Sequence, residues 1–591
     1  MTNNKTSSDD MVRGFEPCLE TGMKMVNASG DVMAAMQNYW VALMKYEQDF
    51  ALPLFKAMSY FTTVESQRIF AEHPLAALQE YEELLFYNWE LYFRSRINSL
   101  EAFKNYHIPD LSKAFEAWLN TFGGDGDRED IFEFLSSKAR ISKALAQDYP
   151  QEIKEIADEF GFHFERGGYD KVTETDRFVL YQVLPTEKDV QVREDGKPIL
   201  IVHPYVLGAD ILAFLPSENK SYVHCFANHG VPTYIRILKN IDDHPAVQTI
   251  TLEDDIRDTA SFCRKIKERH GRRLTLNGYC QGGLMTLANL LSGELDDLVD
   301  THLTCVAPID GTRSKGFVHF LNTLPQRFND LAYGTKKLPN GNVVADGDLM
   351  AWVYKIKSIE DEAPMVSFYR DLAMMRQLNK KGRNISKTAA ALNYWLTYQR
   401  HDLPMEITRL SFASYNTPIT KDGTLPFKAF GRELNMKRIQ EKGIKWLICY
   451  GESDSLVEKG TALAPLDYVD AEVSPFPKGH VAIATSWSLP TSEYALHTRF
   501  GENRVRGPVR FHLDRELEED DQKAKAAKTA QAKKDKAAKP ADGPGDAKQA
   551  GDQEQHPAPK TSARAKTGKK GEPEPENKPS GSTAGKAKKT K

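Results

Sequence analysis

Apolar positions change their spacing along the chain, and each change marks a different kind of structure. From Asp31 onward, Val32, Met36, Tyr39, Leu43, Tyr46 and Phe50 recur at steps of four and three, and Met33, Trp40 and Met44 widen the stripe. That is the period of an amphipathic helix, predicted to end near Pro53. Similar patterns predict helices over residues 54–70, 75–100 and 111–122, ahead of the turn-forming stretch GGDGDRED. With a polar lead-in at residues 1–20, residues 1–150 read as an all-helical, aromatic-rich module. It either packs on its neighbour as an ordinary helical domain or serves self-association or binding to a hydrophobic surface.

After Gly168 the pattern becomes one of short apolar runs separated by helical segments. Strands are predicted over residues 179–184, 199–202, 233–235, 274–277, 303–307, 446–450 and 472–474, with helices over 221–228 and 252–270 between them. A run apolar at every position, such as Ile199-Leu200-Ile201-Val202, suits a parallel strand covered on both faces. The alternation predicts an α/β fold with a doubly wound, mainly parallel sheet spanning residues 155–515. It is interrupted at residues 310–440, where LMAWVYKI, MVSFYRDLAMM and ALNYWLTYQ are rich in aromatics and methionine. A helical insertion over the C-terminal ends of a sheet is where a cap would lie, and it is expected to cover the site below it.

Composition adds a tail. Residues 521–591 hold 18 Lys and Arg against 9 Asp and Glu and no Leu, Ile, Val, Met, Phe, Trp or Tyr, a net of +9 that leaves −13 of the chain's −4 on residues 1–520. The folded part is expected to end near Leu513, followed by a disordered, basic tail that is either a solvated extension or a binder of nucleic acid or another polyanion. Cys18, Cys225, Cys263, Cys280, Cys305 and Cys449 lack paired spacing, which argues against a disulfide framework or a metal site and fits a reducing cytoplasm. No stretch has the length of a signal sequence core or a membrane span.

The chemistry concentrates at residues 272–290, RRLTLNGYCQGGLMTLANL. A buried strand meets Gly278-Tyr279-Cys280-Gln281-Gly282-Gly283, and Leu284, Met285, Leu287, Leu290 and Leu291 continue at helical spacing. This is a nucleophile elbow, whose glycines make room for a sharply bent backbone. Cys280 stands at the nucleophile position, where a thiolate exchanges acyl groups between thioesters with little energy change. Asp454 follows the 446–450 strand and His480 lies on a Gly-His loop after the next, giving the order nucleophile, acid, histidine found in α/β-hydrolases.

On these motifs, together with HPYVLGADILAFLPSENKSYVHCFANHGVPTY, WLTYQRHDLPME, GESDSLV and GHVAIA, residues 155–515 resemble the polyhydroxyalkanoate synthases of the α/β-hydrolase superfamily. These are cytoplasmic enzymes that polymerise 3-hydroxyacyl-CoA, as in poly-3-hydroxybutyrate biosynthesis. The resemblance implies that Cys280 carries acyl groups as thioesters, with His480 as its base and Asp454 assisting the hydroxyl nucleophile or orienting the imidazole. The backbone N–H of Gln281, with one near Tyr205 or Val206, would form the oxyanion hole. It also implies a hydroxyacyl-CoA substrate, a polyester granule surface as partner, a homo-oligomer and no metal or organic cofactor. The sequence departs from the family at Ile237-Leu238-Lys239-Asn240, where an Asp-Trp pair is usual, at Ser455, where a His commonly follows the Asp, and at the cap's Trp-Asn-Asp run. A thioesterase or intracellular polyester depolymerase using the same trio, or a granule-surface scaffolding protein, are the other readings.

Overall fold

Eight strands between residues 169 and 476 form one sheet in the computed structural model of the protein, which describes residues 8–71, 74–123, 128–206, 208–323, 334–351, 362–382, 384–500 and 505–537. They are β1 (Tyr169–Glu174), β2 (Phe178–Val183), β3 (Ile199–Val202), β4 (Thr233–Leu238), β5 (Leu274–Tyr279), β6 (Val299–Cys305), β7 (Lys445–Gly451) and β8 (Glu472–Phe476). Their order across the sheet is β1-β2-β4-β3-β5-β6-β7-β8. Only β2 runs against its neighbours β1 and β4; the other pairs are parallel. This is the α/β-hydrolase arrangement.

Side chains that alternate along a strand divide between two apolar cores, because successive Cβ atoms point to opposite faces. Leu200 and Val202 of β3 join Leu276, Ile256, Phe262, Leu284 and Leu287 on one face. Ile199 and Ile201 join Val223, Phe226, Leu303, Leu447 and Phe476 on the other. The helix Leu252–His270 coincides with its predicted range because both ends are marked: Thr251 and Asp254 form a capping box, and Gly271 closes it with φ 64°.

The N-terminal region is helical but differently divided. Helix α1 (Ser8–Ala71) runs 64 residues, through most of the expected polar lead-in and through Pro53, and α2 (Pro74–Gly123) runs 50 residues with Pro109 inside. An interior proline removes one backbone hydrogen bond and crowds one carbonyl, yet the helix runs on past each of these positions. These helices and Ile131–Lys143 pack on Pro364–Lys381 of the insertion, through Ala42, Tyr106, Ile141, Phe368, Tyr369 and Leu372. Tyr46 donates to Asp371 at 2.5 Å, and Lys56 pairs with Asp346 and Asp348 at 2.9 Å each.

Residues 310–440 are not wholly helical. They contain a small sheet of Thr335–Lys337, Val343–Ala345 and Leu403–Pro404 and a hairpin of Thr424–Ala429 with Arg432–Asn435. The hairpin packs against the helix Gln281–Ser292 through Leu425 and Leu434, so the part of the insertion over the Cys280 end of the sheet ends near the helix Met405–Asn416. The last helix, Pro508–Ala537, passes the expected end at Leu513 and takes in residues 521–537. That stretch is rich in Ala and Lys, with two Gln, all strong helix formers; a lack of large apolar residues forbids a core, not a helix. Residues 538–591 of the expected tail lie outside the described residues. Among the described residues no helix is long and apolar enough to cross a membrane.

Candidate active site

β5 ends at Tyr279 and the helix Gln281–Ser292 begins two residues later, so Cys280 alone makes the bend. Its backbone has φ 51° and ψ −126°, a region costly for any residue with a side chain. The bend is held by the Cys280 N–H donating to Cys305 O and by the Gly283 N–H donating to Cys280 O, both at 2.8 Å. The three glycines have separate steric reasons. A Cβ on Gly278 would lie 2.4 Å from Gly283 Cα, one on Gly282 2.3 Å from Val202 O, and one on Gly283 2.4 Å from Ala307 Cβ.

Asp454 follows β7 and His480 follows β8, and parallel pairing of β6, β7 and β8 brings both to the end of the sheet where Cys280 sits. His480 Nδ1 lies 2.8 Å from Asp454 Oδ2. Against a carboxylate, which only accepts, Nδ1 must carry the hydrogen. The other carboxylate oxygen accepts the N–H groups of Leu456 and Val457, each at 2.9 Å. These three bonds fix the Asp454 carboxylate against the imidazole. The Tyr279 hydroxyl donates to His480 O at 2.8 Å and anchors the loop.

Burial by itself would push the His480 imidazole down, but the Cys280 sulfur and the Asp454 carboxylate outweigh it and hold the ring up at about 10. His480 therefore carries a proton at neutral pH, poised between the sulfur and the carboxylate.

The loop after β3 behaves differently from expectation. The N–H groups of Tyr205 and Val206 donate to Gln281 Oε1 at 3.0 and 3.1 Å, so the amides expected near an oxyanion are engaged by this side chain. Gln281 Nε2 donates in turn to Ser411 Oγ at 2.5 Å, on the insertion helix Met405–Asn416. A side chain invoked only for its backbone thus ties the loop to the roof. Below the loop, the Tyr205 hydroxyl donates to Asp255 at 2.7 Å, and Asp255 is paired with the buried Arg236 and accepts from Asn289 at 2.8 Å. No motif marks Ser411, Asp255 or Arg236, because each contact joins residues far apart in sequence.

Cys280 opens into a cavity of about 300 Å³. Tyr279, Gln281 and His480 form its floor, and Phe317, Met350, Trp395, Leu403, Phe412 and Tyr415 of the insertion form its roof. Arg400 is the one Lys or Arg among the described lining residues. Among the described residues no group of three His, Cys, Asp or Glu could hold a metal ion.

No protein-family model matches the sequence, and no curated protein matches it. Similar solved structures include a carboxylesterase of Nitrososphaera gargenis, 13% identical over 54% of this chain and 92% of that one, with a TM-score of 0.30. A meta-cleavage product hydrolase of Pseudomonas fluorescens IP01 is 13% identical over 52% and 88%, at 0.25. A serine hydrolase of Cycloclasticus zankles is 12% identical over 54% and 93%, at 0.26. Identities and scores this low carry no conclusion about activity.

Proposed function

We propose that the chain is an acyltransferase of the polyhydroxyalkanoate synthase kind, taking 3-hydroxyacyl groups from CoA onto Cys280 and passing them to a hydroxyl acceptor. The observation that carries this reading is Cys280 at a strained elbow, beside an imidazole held protonated, beneath an apolar roof. In the first step the Cys280 thiolate attacks the thioester carbonyl, and the carbonyl electron pair moves to oxygen near the N–H groups at the start of the elbow helix. Collapse forms the acyl-Cys280 thioester and expels CoA, which takes the His480 proton. His480, now neutral, accepts the proton of an incoming hydroxyl as its oxygen attacks the acyl group. The ester leaves, and the Cys280 thiolate and His480 imidazolium are restored.

The bonds of both Asp454 oxygens, to the ring and to two backbone amides, support a role in orienting His480 over one in touching the acceptor. Arg400 at the cavity is the cation we assign to the CoA phosphates. An apolar roof favours an alcohol acceptor that arrives with its own acyl chain over bulk water. Supplying 3-hydroxybutyryl-CoA and measuring released CoA together with polymer tests this. Release with polymer supports synthesis, and release with free 3-hydroxybutyrate alone replaces it with the hydrolytic reading.

A further inference from the structure

Helix α2 is buried on one side, at Ser99, Tyr106 and Ala117, and exposes a row of large apolar side chains on the other. Leu75, Phe86, Trp89, Phe93, Ile97, Leu100 and Leu111 are each at least 52% exposed. Two charged residues, both exposed, stand in the same row, Glu82 and Lys104. From Glu82 to Lys104 the row advances by 4, 3, 4, 4, 3 and 4 residues, which reads the same in both directions about Phe93. Each charge lies eleven residues from Phe93, close to three full turns of an α-helix, so all three positions share one line along the surface.

We propose that this face pairs with the same face of a second copy of the chain, antiparallel, with the two-fold axis at Phe93. In that register Glu82 faces Lys104, Phe86 faces Leu100, Trp89 faces Ile97, Glu90 faces Arg96 and Leu75 faces Leu111, while Phe93 meets its own copy. Every charge in the row then has an opposite charge across the interface. A parallel pair would set Glu82 against Glu82 and Lys104 against Lys104, both repulsive. An apolar surface such as a lipid or polyester would have to desolvate both charges without giving either a partner. A two-fold interface is self-complementary by necessity, and the contact from Leu75 to Leu111 would extend about 55 Å at 1.5 Å per residue.

The test is the mass of the full chain in solution, measured by sedimentation, for the wild type, Glu82→Lys, Lys104→Glu and the double exchange. These side chains are exposed, and circular dichroism checks that the helices persist. Each single reversal should raise the dimer dissociation constant at least tenfold, and the double exchange should restore it. A Phe93→Cys variant should form a 93–93 disulfide in the dimer under mild oxidation, whereas Leu75→Cys should crosslink only when mixed with Leu111→Cys. Single reversals that leave the mass unchanged, or a monomeric wild type that binds apolar particles instead, would overturn the proposal. It stands or falls apart from the chemistry at Cys280, which the same variants should retain.

Discussion

Replacing Gln281 with Ala should cost stability while sparing acylation. The carboxamide accepts the Tyr205 and Val206 N–H groups at 3.0 and 3.1 Å and donates to Ser411, and the residue is 5% exposed. After truncation the three former partners fare unequally. Ser411 keeps its bond to Ile407 O at 3.0 Å. Val206 borders the cavity, where a water can replace the lost acceptor. Tyr205 is buried, and one stranded buried N–H costs about 1–3 kcal/mol. The side-chain methylenes removed from a buried site add roughly 1–2 kcal/mol, so the whole effect is about 2–5 kcal/mol, read from the shift of the urea unfolding midpoint. Acylation of Cys280, followed as the burst of released CoA, should stay within about tenfold of wild type, because the contacts that hold Cys280 and His480 do not involve the Gln281 side chain. Wild-type stability would refute the three-bond arrangement. A loss of acylation by about 10²–10³, the cost of removing an oxyanion donor, would make the carboxamide itself such a donor.

Gly282→Ala should destabilise the protein by about 3 kcal/mol or more, since its Cβ would sit 2.3 Å from Val202 O and 2.9 Å from His203 O in the central strand region; an unchanged melting temperature would contradict that packing. Asp454→Asn should lower kcat roughly 10⁴-fold, as in related triads where the amide stabilises the wrong tautomer; retention of CoA release within tenfold would show that the carboxylate does not orient His480. The His480 charge should stabilise the fold in a definite pH window, because its folded value is raised from 6.5 to about 10. That contribution is fully present below pH 6.5 and is lost as pH rises through about 10. The stability gap between wild type and His480→Gln should therefore shrink on that rise, and a gap that widens would reverse the sign.

Features written in consecutive residues were legible in the sequence. The bend at Gly278–Gly283, the capping residues around 252–270 and the fully apolar β3 each state their structure within a few positions. The strand order then follows from the pairing of those local elements, and it brings Asp454 and His480 to the same sheet end. What stayed hidden depended on distant partners or on sums over long segments. Pro53 and Pro109 look like helix ends locally, yet each lies within a helix of 64 or 50 residues. The hairpin at Thr424–Asn435 resembles cap sequence but packs on the elbow helix, and the Gln281–Ser411 contact spans 130 residues. Helix formers within residues 521–537 were outweighed by their lack of apolar side chains.

The most direct measurement is the intact mass of the full chain after rapid acid quenching with 3-hydroxybutyryl-CoA, followed by peptide mapping. The account predicts one hydroxybutyryl group in thioester linkage on Cys280, formed as CoA is released, and neither adduct nor CoA release from Cys280→Ala. CoA release by Cys280→Ala at the wild-type rate, or an acyl group carried on a different residue, would contradict it.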